Sequence, residues 1–432
     1  MPGEQARIAL LLCLVGFLKE FRPSKPFGVA YMTGPVLNIS TTQVDEVVLP
    51  MRTYSYMSLL VVSLLLTDFL RYKPVLVVGA LAGVSTYSLL TFGRKFELVI
   101  LAQCTHGIFM ASEVAYSTYM YTRLDKAHYQ KITSLTRTAL LLGRALSGFL
   151  AQALISTTGA RPYHLFYITL ACEVGAAACA CLLPRAARSL YFNRRSSGAA
   201  TKAGPPPGRT SGPCSEGLRL LWADFQAAFT SSYVLKWSMW WAFTMCGFFQ
   251  LTTYCKVLWK VMTQETNETY TSLYNGVAEA LGTTAGAVVS LSCGWLGGGW
   301  YQRADLLLGV CSLLHGFLLY VSSITSSLTS SYICYVAFVV SYHLVITIAT
   351  SEVARNITDD SYGLVFGVNT FLALVIQSVI AMAVQSPAGL ALPVRAQFAV
   401  YAGYHTVLGL VYTIIAFFTA LFMKDYKYTV TC

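Results

Sequence analysis

The sequence contains few charged residues and lacks the common catalytic motifs. Only 11% of its 432 residues are Asp, Glu, Lys or Arg, whereas soluble domains carry about a quarter. There is no Walker loop, GxSxG, HExxH or carboxylate-rich metal cluster, and the 12 cysteines form no CxxC pair. These absences argue against a soluble domain, an enzyme, a disulfide framework and a zinc site. We therefore expect no cofactor and no metal.

Hydrophobic residues make up 55% of the chain. They are concentrated in about twelve segments close to or above the length, roughly 20 residues, that a membrane-spanning helix needs. The segments lie near 8–34, 53–70, 75–93, 97–122, 132–157, 163–184, 234–261, 273–297, 303–323, 331–354, 362–386 and 396–423.

The longest polar stretch separates the sixth segment from the seventh. It is basic and rich in Gly, Ser and Pro, a composition typical of a flexible linker. Six helices, a linker and six more helices is the layout of transporters built from two membrane halves. We therefore predict an all-α membrane protein with four regions: a six-helix half over 1–184, a linker over 185–232, a second six-helix half over 233–423 and a short tail over 424–432.

The net charge of +11 lies largely in loops, notably the linker and the tail. Basic loops of membrane proteins face the cytoplasm. This distribution makes the lipid bilayer, and not nucleic acid, the expected partner, and it predicts that both termini are cytoplasmic. Two Asn-x-Ser/Thr sequons, at Asn38 and Asn267, then fall on the outer side, where we predict glycosylation.

The first hydrophobic segment is interrupted by charges and by Pro23 and Pro26, in "LKEFRPSKPF". Proline removes a backbone donor and bends a helix. The run from Ile8 to Leu18 covers only about 16 Å at 1.5 Å per residue, too short to cross a bilayer alone. Irregular backbone at membrane depth is tolerated where it lines a wet cavity, so we predict a cavity here. The alternative is that the helix ends at Leu18 and the charges lie among lipid headgroups.

The fourth segment places His106, Glu113 and Tyr116 on one helical face. A carboxylate inside a membrane is costly and usually faces a cavity or a partner. Next to an aromatic ring, Glu113 suits an organic cation or an amino-heterocycle. The alternative is a structural salt bridge, for which Arg137 and Arg144 on the fifth segment are candidate partners.

Other polar residues occur at spacings that favour contacts between helices. Asn275 and Glu279 lie one turn apart in the eighth segment, and Gln377 lies in the eleventh. Amides within membranes bind substrates or join helices, and the sequence leaves both roles open. Asp68 and Arg71 can pair between the second and third segments, where a short loop of mixed charge can latch one state of a transporter.

Several motifs together resemble the reduced-folate-carrier and thiamine-transporter family. They occur in order between residues 21 and 401 and cover nearly the whole membrane part. This resemblance implies a major-facilitator fold, alternating access and transport of a vitamin across the plasma membrane, coupled to protons or to a counter-transported anion. The motifs are "FRPSKPF", "YSYMSLLVV", "LTDFLRYKPV", "ASEVAYSTYMY", "HYQKITSLTR", "LYNGVAEA", "LVFGVNTFLALVIQ" and "GLALPVRAQFAVY".

Two positions are similar to the thiamine branch of this family. Glu113 and Gln377 stand where the folate carrier has an arginine and a lysine. The resemblance implies that Glu113 contacts an aminopyrimidine and that Tyr116 and Asn275 line the site. We therefore expect a thiamine transporter, with a carrier of reduced folate or another anionic vitamin as the first alternative. A receptor or sensor that has lost transport is the second.

Three cationic residues depart from the thiamine pattern. Lys25 stands where both branches have glutamate, and Arg52 and Arg144 replace aromatic residues. Cations around a cavity disfavour a cationic substrate, so these residues favour an anionic vitamin if they face the cavity. Alternatively, Lys25 and Arg144 pair with Glu113 and Glu279.

Overall fold

A computed structural model shows an almost entirely helical chain. It describes residues 3–70, 72–116, 119, 129–159, 161–184, 213–265, 274–293, 304–357 and 362–430.

Thirteen helices of at least 16 residues are present in the described part of the chain. Six precede the predicted linker and seven follow from residue 213 onward. They are α1 (Gly3–Glu20), α2 (Leu49–Phe69), α3 (Lys73–Phe92), α4 (Phe96–Ala111), α5 (Tyr129–Thr158), α6 (Pro162–Leu182), α7 (Pro213–Thr230), α8 (Ser232–Glu265), α9 (Asn275–Cys293), α10 (Ala304–Ile324), α11 (Leu328–Arg355), α12 (Tyr362–Val384) and α13 (Val394–Val430).

Nine helical segments of the described part are long and apolar enough to cross a membrane. Together with α1, α8 and α9, which are more polar, they correspond one to one with the predicted hydrophobic segments. The prediction of an all-α membrane protein is therefore confirmed, and nine of the roughly twelve predicted spans meet this criterion in the described part.

Part of the predicted linker is helical, since α7 lies within 185–232, and α13 continues into the predicted tail. Residues 185–212 lie outside the described part. The boundaries of the four regions stay predictions.

The first segment is broken where the prolines predict it. Helix α1 ends at Glu20, a 3₁₀ turn covers Lys25–Phe27, and a short helix covers Gly28–Met32. Lys19 and Glu20 are each only 7% exposed and Arg22 is 4% exposed. The charges are therefore enclosed by protein, which decides against the headgroup alternative. Residues 21–32 are called the broken segment below.

Helices α1 and α3 pack against α6, and α2 and α3 pack against α4. In the second half, α8, α9 and α10 pack around α11, and α10 also packs along α13. The two halves meet where α5 packs on α9 and where α2 packs on α12. At the first of these contacts the backbones approach closely, because a Cβ atom added to Gly148 would lie 2.8 Å from the carbonyl oxygen of Gly276.

The end of α8 is held to two other helices of its half. Arg395 at the start of α13 donates to both carboxylate oxygens of Glu265, at 3.3 and 2.6 Å, and to the carbonyl oxygens of Ser323 and Thr325. The hydrogen bond from Arg395 lowers the pKa of the Glu265 carboxyl. This contact fixes the end of the helix that contributes a lysine to the site described below.

We predict that Gly148→Ala weakens the contact between α5 and α9. Overpacking of this kind costs about 1–3 kcal/mol and is expected to lower the thermal unfolding temperature of the purified protein in detergent. Gly403→Ala is the matched control, because nothing lies within 4 Å of a Cβ atom added there. An equal unfolding temperature for the two variants would contradict the tight contact.

Candidate functional site

An open cavity lies against the broken segment. Its wall combines residues of the first half with residues of α8, so it lies between the two halves. Three lining residues are cations, and none of the described lining residues is a carboxylate. The wall is formed by Ser24, Lys25, Gly28, Val29, Met32, Leu49, Arg52, Thr86, Tyr87, Leu90, Gln103, His106, Phe166, Thr252, Thr253 and Lys256.

Two of these cations share one carboxylate behind the cavity wall. Lys25 forms an ion pair with Glu279 of α9, and the Nζ atom of Lys256 lies 3.5 Å from Glu279 Oε2. Glu279 is 6% exposed. A buried ion stays charged only when it is well paired, and here one negative charge faces two positive ones. The cluster keeps a net positive charge and joins the broken segment to the second half.

Asn275 provides a second link between the halves. Its Nδ2 atom donates to the carbonyl oxygen of Pro26 at 3.1 Å, and its Oδ1 atom accepts from the hydroxyl of Tyr332 at 2.7 Å. A backbone carbonyl oxygen at a helix break lacks the N–H donor that a continuous helix would provide, so it needs another donor. Asn275 therefore holds the broken segment in place and is not among the cavity-lining residues.

Arg52 is the third cation of the wall. It lies near the start of α2, and its buried Nε atom has no hydrogen-bond partner in the described part of the chain. No ion pair is formed by its guanidinium among the described residues. Arg52 lines the cavity, and its guanidinium is not neutralised by a carboxylate of the described residues.

Glu113 is paired with a cation that the sequence did not identify. Lys19 of α1 forms the ion pair, and its Nζ atom lies 4.9 Å from the centroid of the Phe109 ring. Tyr116 donates to the carbonyl oxygen of Leu12 at 2.9 Å. Neither Glu113 nor Tyr116 lines the cavity. The partner is therefore not Arg137 or Arg144, and binding of substrate by Glu113 and Tyr116 stays a prediction.

Arg144 pairs with Glu20 at the end of α1 and not with Glu113. Its Nε atom donates to Glu20 Oε2 at 3.0 Å, and Arg22 donates to the same oxygen at 3.0 Å. Of the two alternative pairings expected for Lys25 and Arg144, the structure shows the one between Lys25 and Glu279.

The remaining predicted residues lie away from this cavity or outside the described part. Gln377 is buried, and its backbone carbonyl accepts from Gln250 at 3.3 Å. Arg137 and Asn38 are exposed. The side chain of Asp68, and all of Arg71 and Asn267, lie outside the described residues.

The sequence reasoning missed Lys256 and Glu173. Lys256 interrupts an apolar run of the seventh segment, "TTYCKVLW". A single charged residue within a membrane segment indicates a functional position, and this was the signal that could have identified it. Glu173 of α6 is fully buried, and both of its carboxylate oxygens lack a hydrogen-bond partner in the described part. It shares a small second cavity with Lys19.

The fold is that of major-facilitator transporters. Over 98% of this chain and 99% of the solved chain, it superposes on the POT family transporter PepTSo with a TM-score of 0.67 at 12% sequence identity. This likeness defines the architecture of the chain, a bundle of membrane helices around a cavity.

The family is shown by sequence. The profile of the reduced folate carrier family matches residues 4–400. The chain is 34% identical to thiamine transporter 1 of Homo sapiens, over 93% of this chain and 88% of that protein. It is 33% identical to the reduced folate transporter of Homo sapiens, over 93% of this chain and 70% of that protein. The chain belongs to the reduced folate carrier family.

We predict that the ion pair between Lys25 and Glu279 is required for transport. Reversing one charge leaves like charges facing each other, and Lys25→Glu or Glu279→Lys is expected to lower substrate uptake at least about tenfold. The double reversal restores the pair, so uptake by the double variant should exceed that by both single variants. Uptake in cells with surface expression measured in parallel is the test, and a double variant no better than the single ones contradicts the pairing.

We also predict that Glu113→Gln destabilises the protein, because Lys19 is left buried without its partner. Adding Lys19→Met removes the stranded charge and should recover the thermal unfolding temperature. Uptake by this stable double variant then measures the direct role of Glu113 in transport. A Glu113→Gln variant as stable as the parent would show that the ion pair contributes nothing to folding.

Proposed function

We propose that the chain is a vitamin carrier of the plasma membrane whose substrate is an anionic vitamin of the reduced-folate type. The observation that carries this proposal is the charge of the cavity wall. Lys25, Arg52 and Lys256 line it, and no described lining residue is a carboxylate. Walls of one charge sign raise the local concentration of ligands of the opposite sign.

A thiamine-type substrate fits this cavity less well. Thiamine is a cation and would face the three basic side chains directly. The carboxylate that the family resemblance offers to its aminopyrimidine is Glu113, which is already neutralised by Lys19 and does not line the wall. The charge of the wall therefore favours the anionic vitamin over thiamine, the reverse of the order that the sequence suggested.

Transport would follow alternating access. The cavity is enclosed by the broken segment and α2 from the first half and by α8 from the second. The links from Lys25 to Glu279 and from Pro26 to Asn275 cross between the halves. These links would have to open and re-form as the cavity changes its exposure. Coupling to protons or to a counter-transported anion is part of this proposal.

The orientation in the membrane follows from the loop charges, with both termini in the cytoplasm. Asn38 is exposed, as a glycosylated residue must be, and it would then lie on the extracellular side with Asn267.

Thiamine is the second candidate. The chain is 34% identical to a protein named thiamine transporter 1, and it has Glu113 and Gln377 at the two positions that resemble the thiamine branch. In this alternative, the aminopyrimidine of thiamine would displace Lys19 from Glu113.

We predict that cells expressing the chain accumulate labelled reduced folate more than labelled thiamine. The two are measured side by side, each with excess unlabelled competitor and at two external pH values, in expressing and mock-transfected cells. Saturable thiamine uptake without folate uptake would contradict the proposed anion and favour the second candidate. Absence of both, with the protein at the surface, would favour a receptor that has lost transport.

A further inference from the structure

The buried charges around the broken segment do not balance. In the described part, six cations and four carboxylates surround the two cavities, leaving two positive charges if all are ionised. Two clusters each carry one surplus cation, Lys19 and Glu113 neutralise each other, and Arg52 and Glu173 are each without an ion-pair partner in the described part. The residues are Lys19, Arg22, Lys25, Arg52, Arg144 and Lys256 against Glu20, Glu113, Glu173 and Glu279.

Among these cations, Arg52 has the positive charge that is most accessible to a ligand. Arg22 and Arg144 both donate to Glu20, and Lys25 pairs with Glu279. The buried Nε atom of Arg52 has no acceptor in the described part, and a buried donor left unpaired is unfavourable. A ligand in the cavity can offer acceptors to the guanidinium of Arg52, since this residue lines the wall.

Lys256 lines the same cavity from the other half of the protein. Its ammonium is 3.5 Å from Glu279, a carboxylate that Lys25 already pairs with, so its charge is only partly compensated. Thr253 lines the wall next to this helix turn and adds a hydroxyl. Two cations from opposite halves thus face one cavity.

We propose that Arg52 and Lys256 form a subsite for an anionic group of the substrate, a carboxylate or a phosphate. Arginine presents planar donors that match both groups bidentately, whereas lysine acts as a point charge. The anion would bridge α2 and α8. This inference rests on the proposed function in one respect, that the cavity holds the substrate.

The experiment uses two matched pairs of ligands. Thiamine and thiamine monophosphate differ by a phosphate, and pteroic acid and folic acid differ by a glutamyl group with its carboxylates. Binding of each labelled compound is measured by equilibrium dialysis with the purified full-length chain. The variants are Arg52→Gln, Arg52→Lys and Lys256→Gln. The control is Arg161→Gln, which removes an exposed cation that does not line the cavity.

In at least one pair, Arg52→Gln is expected to weaken binding of the more anionic member by about 10- to 100-fold and of its partner by less than about threefold. Arg52→Lys should lose part of the affinity, because it keeps the charge without the planar donors. Lys256→Gln should act in the same direction and Arg161→Gln should have no effect. The pair that responds distinguishes a phosphate from a carboxylate ligand.

Equal effects of Arg52→Gln on both members of each pair would overturn the subsite, as would a parent protein with no preference for the anionic members. The thermal unfolding temperature of Arg52→Gln shows whether this variant is folded. Because the substitution removes an unpaired buried charge, it should not lower that temperature. Selective loss of thiamine monophosphate binding, without folate binding by the parent, would support the subsite while contradicting the reduced-folate proposal.

Discussion

An ionised side chain in an apolar interior needs a partner, and the rest of this structure depends on that constraint. The end of α1 and the broken segment carry charges into the bundle, and the structure pairs Lys19 and Lys25 with side chains from other helices. Glu279 of α9 receives Lys25, and Lys19 of α1 reaches Glu113. Because these partners lie on different helices, the ion pairs fix how the helices are arranged around the cavity. The break is thus the element that organises the site.

The same constraint explains why the cavity favours one sign of charge. Glu113, the carboxylate that the family resemblance offers to a cationic substrate, is paired with Lys19, and the cavity wall has basic residues. Arg52 is the clearest case, since the described protein gives its Nε atom no acceptor. In the proposed function the substrate completes this set of charges with a negative group, and its binding between α2 and α8 would join the two halves. Selectivity and conformational change would then depend on the same residues.

Much of the fold could be predicted from the sequence, because long apolar runs leave few alternatives to membrane helices. The break was also predictable, since Pro23 and Pro26 interrupt a run too short to cross alone. The partners of the charged side chains could not be predicted. A helical face shows that Glu113 and Tyr116 lie together but not which neighbour they meet, so Lys19 was overlooked in favour of Arg137 and Arg144. Lys256 was missed because a single lysine in a helix gives no direction by itself.

The most direct test of this account is an experimentally determined structure of the chain with its transported vitamin bound. The account predicts an anionic group between the guanidinium of Arg52 and the ammonium of Lys256, within hydrogen-bonding distance of both, with Glu113 still paired to Lys19. A cationic vitamin with its aminopyrimidine on Glu113, and Lys19 displaced, would contradict it.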